Sequence, residues 1–219
     1  MRILSIEGNV GSGKSTFLEE LRGYYKNNKN VIILPEPVDV WDGIKDKNGT
    51  TMLQKFYADQ EKYAFSFQMM AYISRLALMR QIIRSVPERE HLVLISERCL
   101  HTDKHVFAKM LYDQGKIEDV DFKIYLTWFD EFAQDFPIDQ CIYIKTEPAI
   151  CHERVKRRAR IGEDIIPLEY LVQCDLYHEA YIKTMPKVAT LDGNIDIFEN
   201  REHLQTWLAS MTDIIGQKM

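Results

Sequence analysis

The sequence predicts an α/β fold in a single domain, 1–219, with a five-stranded parallel sheet and helices on both of its faces. Three observations carry that prediction. Short runs rich in Val, Ile and Leu alternate with longer helical stretches along the chain. Four of the five runs mix branched residues without polar/apolar alternation, as strands covered on both faces do. A glycine-rich loop joins the first run to the first helical stretch.

The strands are expected at 2–6, 31–35, 91–96, 139–144 and 187–191. Between and after them, helices are expected at 14–27, 53–85, 104–134, 148–160, 167–184 and 200–215. Segment 42–51, rich in Gly, Asp, Asn and Lys, predicts an exposed loop. No repeat, low-complexity tract or Pro/Gly-rich linker divides the chain.

Composition narrows the function classes. Hydrophobic residues make up 46% and charged residues 28% of 219, the balance of a folded globular chain with one substantial core. A net charge of -5 and a pI near 5.7 argue against a protein that coats nucleic acid. No apolar run reaches membrane-spanning length, so neither nucleic acid nor membrane is an expected partner. Cys99, Cys141, Cys151 and Cys174 form no CxxC pair, which suits reduced thiols better than a disulfide frame or a zinc site. With no apolar or amphipathic leader at the N-terminus, cytoplasmic residence is the default expectation.

The sharpest signal follows the first strand: Gly8-Asn9-Val10-Gly11-Ser12-Gly13-Lys14-Ser15, a GxxxxGK[ST] match, with Thr16 next. Such glycines let successive backbone N–H groups turn inward around phosphate oxygens at the positive end of a helix. Lys14 would reach the β- and γ-phosphates, and Ser15 would ligate Mg²⁺. The motif places the chain in the P-loop NTPase fold, which GTPases, ATPases and kinases share.

Other segments choose among them. Glu36, between Pro35 and Pro37 at the end of the second strand, stands where open α/β sheets collect ligands. A carboxylate there suits a kinase that must accept a hydroxyl proton. Glu97 and Arg98 follow the third strand, where an acid completes a Mg²⁺ shell and an arginine neutralises phosphate charge. Arg154-Val155-Lys156-Arg157-Arg158-Ala159-Arg160 holds five basic residues in seven and precedes Gly162. This arginine-rich segment, about 154–166, suits a lid that closes over phosphates.

Together the blocks IEGNVGSGKST (6–16), PEPVDVW (35–41), LQKFYADQEKYAFSFQMMAYISR (53–75), ERCLHTDKHVFA (97–108) and RVKRRARIGEDIIPLEYL (154–171) resemble the deoxynucleoside kinase family. The resemblance implies transfer of the γ-phosphoryl group of ATP or another NTP, with Mg²⁺, to the 5′-hydroxyl of a deoxynucleoside. It implies Glu36 as general base, Arg98 beside the hydroxyl, and Glu97 near the metal. Tyr57 and Glu163 match the holders of the sugar 3′-hydroxyl, and Gln68 the reader of the base edge. Trp41 and Phe67 match aromatics around the base, and Arg154, Arg158 and Arg160 the lid arginines on the triphosphate. Phe65 and Met69 are expected in the core. A homodimer through the 53–85 and 104–134 helices is implied as well. Cys99 stands where the family usually has serine, and Gly162 where it has an acid, which puts lid charge and flexibility in question.

Base choice rests on Gln68, Arg75 and Asp103. Arg75 lies seven residues, two helical turns, after Gln68, so both can face one cavity. In the family, Arg and Asp at these positions accompany cytosine or purine nucleosides, and smaller or apolar residues accompany thymidine. Arg75 is expected to hold Asp103 ionised, so that its carboxylate accepts from an exocyclic amine. A nucleoside monophosphate kinase of the thymidylate kinase type shares the P-loop and lid, but Glu36 would repel an acceptor phosphate. A non-catalytic subunit of the same fold would be expected to have lost Lys14, Ser15, Glu36 or Arg98.

Overall fold

A computed structural model describes residues 1–86, 88, 90–160, 162–163 and 165–216. The five expected strands form one all-parallel sheet: β1 (Arg2–Glu7), β2 (Val31–Leu34), β3 (Val93–Glu97), β4 (Gln140–Lys145) and β5 (Val188–Asp192), in the order β2-β3-β1-β4-β5. Only the three inner strands are buried along most of their length; β5 is largely exposed and β2 half-buried, because each edge strand has one neighbour. The expectation that nearly all strands are covered on both faces is corrected at these edges.

Alternation along β1 divides the interior into two cores. Ile3 faces the side where Phe56, Tyr72, Tyr125 and Phe129 pack, and Leu4 and Ile6 face Phe17, Leu21 and Trp207. Helix α1 (Lys14–Tyr24) follows the loop after β1, and α2 (Val38–Gly43) follows β2. Helix α2 was not expected from the sequence, and the exposed loop therefore starts at Ile44 rather than Asp42.

Both long helices of the sequence reading are broken. The 53–85 stretch is α3 (Met52–Ala58) and α4 (Gln60–Ser85), parted at Asp59, whose carboxylate accepts from the Lys62 N–H (3.2 Å). Asp favours this cap because its short side chain competes with the helical backbone pattern. Thr51 and Gln54 cap α3 reciprocally, at 3.2 and 2.8 Å. The 104–134 stretch starts earlier, as α5 (Leu100–Thr102), widens into a π-turn over 103–108, and continues as α6 (Lys109–Asp113). After a turn through Gly115 it resumes as α7 (Asp119–Phe132), whose first-turn Asp119 and Asp121 suit the helix dipole. Helices α8 (Pro148–Arg158), α9 (Leu168–Ile182) and α10 (Arg201–Gly216) lie close to expectation. Phe65 and Met69 are only half-buried, against the edge of the core. Among the described residues, no helix is long and apolar enough to cross a membrane.

His178 on α9 is fully buried. Its Nδ1 donates to the Cys174 carbonyl (2.7 Å), which leaves Nε2 bare and without a partner among the described residues. Burial, with Arg98 adding to it, holds the ring down to about 3. The unfolded chain therefore takes up this proton first, and stability present above about pH 6.5 is lost as pH falls toward 3. We expect the urea midpoint to fall between pH 6.5 and 5 by an amount worth roughly 2 kcal/mol. The slope should flatten in His178→Leu; an unflattened slope excludes His178 as its source.

Candidate active site

The loop after β1 is built around its own backbone. Asn9 accepts from the Val10 N–H (2.8 Å) and donates to the Leu171 carbonyl (2.8 Å), tying the loop to α9. Gly11 has φ +86°, and a Cβ there would stand 2.5 Å from the Cys151 carbonyl oxygen, so only glycine fits. No side chain caps α1, which leaves its positive end open to an anion. Lys14 Nζ donates to the Asn9 carbonyl (2.6 Å), and burial, then Arg98, brings its ammonium down to about 7. Ser15 Oγ donates to Glu97 Oε1 at 2.9 Å. One hydroxyl and one carboxylate in contact beside a phosphate loop fit Mg²⁺, which takes few protein ligands and shares substrate phosphates.

Above the loop opens a cavity of about 570 Å³. Its walls include residues 10–16 of the loop and Glu97, Glu36 and Arg98 beyond the strands, Trp41, Tyr57, Phe67, Gln68 and Asp103 on one side, and Arg154, Arg158, Arg160 and Glu163 on the other. Three of the expected site residues stand behind the wall. Gly8 and Asn9 support the loop, and Arg75 lies behind Asp103 and Glu36.

Arg75 is the hub of the acceptor side. Its Nε donates to Asp103 (2.9 Å), Nη1 to the Glu97 carbonyl (2.5 Å) and Nη2 to Glu36 (3.3 Å). Arg98, at φ +59°, donates from Nη1 to the same Glu36 oxygen (2.6 Å). Burial pushes the Glu36 carboxyl up, but Arg98, Arg75 and Lys14 outweigh it and hold the group at about 2. Asp103 goes the other way: burial raises it and Arg75 only partly offsets the rise. The expected Arg75–Asp103 ion pair is in place, buried, at 2.9 Å. Among the described residues the Gln68 amide takes no side-chain hydrogen bond, though it is buried in the cavity wall. Phe67 stacks on Phe56 (4.4 Å, 12°) and meets Trp41 edge-on (5.7 Å), while Trp41 Nε1 donates to Ser74 (2.8 Å).

The lid is tied down from inside. Glu163 is buried and accepts from both Arg158 and Arg160 (3.2 Å for the latter). These arginines thus pair with the lid's own acid. Gly162, at φ +90°, packs on the first turn of α3, where a Cβ would stand 3.0 Å from Gln54 Cγ and 3.2 Å from its Cα. That contact gives the glycine a steric reason where the family has an acid. Ile161 and Asp164 of the lid lie outside the described residues. Tyr57 is raised by burial and by Glu163, so its phenol keeps its proton as a donor.

Sequence reasoning named Arg154 but missed several other wall residues, Arg157, Ile195, Phe198 and Phe107 among them. Arg154 donates to the Gly193 carbonyl (2.7 Å) and Arg157 to Asp196 (2.8 Å), so the basic face of α8 grips the loop after β5. Ile195 and Phe198 of that loop also line the cavity, and the two apolar side chains are exposed. Apolar residues within the Gly/Asp/Asn-rich stretch 192–200 were the available signal. Phe107, over whose ring the Arg98 guanidinium lies at 5.0 Å, gave none, because its place depends on the π-turn.

A family model for deoxynucleoside kinase matches residues 4–215. Deoxycytidine kinase 1 of Xenopus laevis is 30% identical over 97% of this chain and 90% of its own length. Deoxycytidine kinase 2 of Gallus gallus is 33% identical over 95% of this chain and 88% of its own length. Thymidine kinase 2, mitochondrial, of Macaca fascicularis is 32% identical over 82% of this chain and 64% of its own length. With the P-loop, the parallel sheet and the acid–arginine cluster in place, the match over nearly the whole chain shows that this protein belongs to the deoxynucleoside kinase family and is a deoxynucleoside kinase.

Proposed function

We propose that the enzyme moves the γ-phosphoryl group of ATP or another NTP onto the 5′-hydroxyl of deoxycytidine or a purine deoxynucleoside, in preference to thymidine. Similarity alone does not choose the base, because relatives named for deoxycytidine and for thymidine are about equally identical, at 33% and 32%. The observation that carries the choice is the buried Arg75–Asp103 pair, with Asp103 lining the same cavity as Gln68. An acid and an amide together suit a base edge with an exocyclic amine, and a site built for that bond rejects a partner lacking it.

Glu36 receives and orients the 5′-hydroxyl. A carboxyl near 2 is a weak base, so its main work is alignment, with proton acceptance late in a loose transition state. Arg98 neutralises charge on the transferring group, and Lys14 with Arg154, Arg158 and Arg160 takes the triphosphate. Ser15 and Glu97 would hold Mg²⁺, which supplies charge neutralisation at the phosphates. Trp41, Phe67 and Gln68 enclose the base, and Tyr57 and Glu163 take the 3′-hydroxyl. One kinase domain, cytoplasmic residence and a homodimer belong to the same proposal. The four cysteines are free and buried, and Ile73, Val120, Ile124 and Trp128 leave an apolar surface on α4 and α7.

The deciding experiment is a radiolabelled-ATP transfer assay across the four deoxynucleosides. We expect kcat/KM for the best of deoxycytidine, deoxyadenosine and deoxyguanosine to exceed that for thymidine by more than about tenfold. Thymidine emerging as the best substrate, or no gain of thymidine activity in an Arg75→Met, Asp103→Ala double variant, sinks the assignment.

Glu36→Gln keeps the shape and loses the acceptor. Turnover should fall by at least about a hundredfold while ATP affinity, read by fluorescence titration, stays near wild type. A fall below about tenfold removes Glu36 from the role.

Arg158→Ala and Arg160→Ala should each lower kcat by about tenfold or more with smaller changes in deoxynucleoside binding. Lost deoxynucleoside affinity with an unchanged kcat would assign these arginines to Glu163 and the sugar instead of the phosphates.

A further inference from the structure

The phosphate loop rests against the end of β4, and the residue that follows that strand has no role in the reading above. Strand β4 pairs with β1, so its C-terminal end stands behind the loop that leaves β1. A Cβ on Gly8, at φ +146°, would stand 2.6 Å from the Ile144 carbonyl oxygen, so this end of the loop approaches β4 closely only as glycine. Thr146, two residues beyond Ile144, is 2% exposed, and its Oγ1 donates to the Ser12 carbonyl (3.2 Å). The loop is thus held to β4 at two points, by close packing at Gly8 and by a hydrogen bond at Ser12.

The second point sets a direction. A peptide unit is planar and trans, so its C=O and its N–H point opposite ways. The Ser12 carbonyl shares a unit with the Gly13 N–H. Drawn back onto Thr146, the carbonyl turns that N–H away from β4. Gly13 lines the cavity and precedes α1 with φ +100°. Among the described residues its N–H donates to no backbone carbonyl. Crowding does not fix this unit, since a Cβ on Gly13 would meet nothing within 4 Å and glycine allows many backbone angles. The Thr146 hydrogen bond is the restraint that remains.

The hydroxyl is itself confined from the far side. A Cβ on Gly193, in the loop after β5, would collide with Thr146 Oγ1. The Gly193 N–H donates to the Lys145 carbonyl (2.7 Å), and its carbonyl accepts from Arg154 Nη1 (2.7 Å). Thr146 is therefore wedged between the phosphate loop and the loop that α8 grips, which keeps its hydroxyl on Ser12.

We propose that Thr146 is a positioning residue for the nucleoside triphosphate: its hydroxyl fixes the Ser12–Gly13 peptide so that the Gly13 N–H faces the phosphates. The proposal rests on the reading that this loop holds the triphosphate. An N–H aimed before binding serves the bound triphosphate and the transition state alike, so its loss is read in KM for ATP and not in kcat.

Steady-state kinetics with ATP and the deoxynucleoside that wild type phosphorylates best test this. Thr146→Val keeps the branched shape and loses the hydroxyl. KM for ATP should rise about tenfold, with kcat and the deoxynucleoside KM within about threefold of wild type. Thr146→Ser, which keeps the hydroxyl, should return KM for ATP to within about threefold of wild type. An unchanged KM for ATP in Thr146→Val, a loss confined to kcat, or a serine variant as impaired as the valine variant overturns the proposal. Lys14→Met separates this from the loop reading, with ATP affinity followed by fluorescence titration. Undiminished affinity there overturns the loop reading and the proposal with it. Weakened affinity there, beside an unchanged Thr146→Val, overturns the proposal alone. Circular dichroism melting checks folding, and Thr146→Ala takes the place of Thr146→Val if the valine variant does not fold.

Discussion

The acceptor side of this kinase is organised by one buried guanidinium. Arg75, from the middle of α4, binds Asp103 at the start of the π-turn, the Glu97 carbonyl at the end of β3, and Glu36 beyond β2. The end of β3, the start of the π-turn and the segment beyond β2 all meet on its donors. Removing it would leave two carboxyls near one another without their shared cation, a loss of the kind that typically costs about 3–5 kcal/mol. Such a pair adds little net stability over an apolar core, so its value here is in fixing where Glu36 and Asp103 stand.

The same arithmetic of charge sets the two carboxyls apart. Two arginines and Lys14 act on Glu36 and hold it at about 2. Asp103 is buried more deeply behind a single strong partner, and burial raises it. The two carboxyls share Arg75. Across the cavity, Glu163 does for Arg158 and Arg160 what Glu36 does for Arg98: it gives clustered cations an anion. Two lid arginines therefore share one buried anion, and the lid packs on α3 through Gly162.

The sequence by itself determined the sheet, the phosphate loop and the family. GxxxxGK[ST] is local chemistry, since backbone amides around a phosphate need glycine at set positions whatever surrounds them. The five β-rich runs likewise reported strands, and three of them, β1, β3 and β4, carry the burial in their own residues. Glu36, Glu97 and Arg98 were legible because the ends of parallel strands are where such sheets place ligands.

Tertiary structure decided what depends on residues far apart in the chain. The breaks at Asp59 and Gly115 are side-chain and turn effects that a long apolar rhythm hides. The rise of Asp103, the latch of Glu163 on its own arginines, and the grip of Arg154 and Arg157 on the loop after β5 arise only when separate segments are brought together. A motif records which groups are present; burial and the sum of neighbouring charges, which set their strength and aim, exist only in the folded chain.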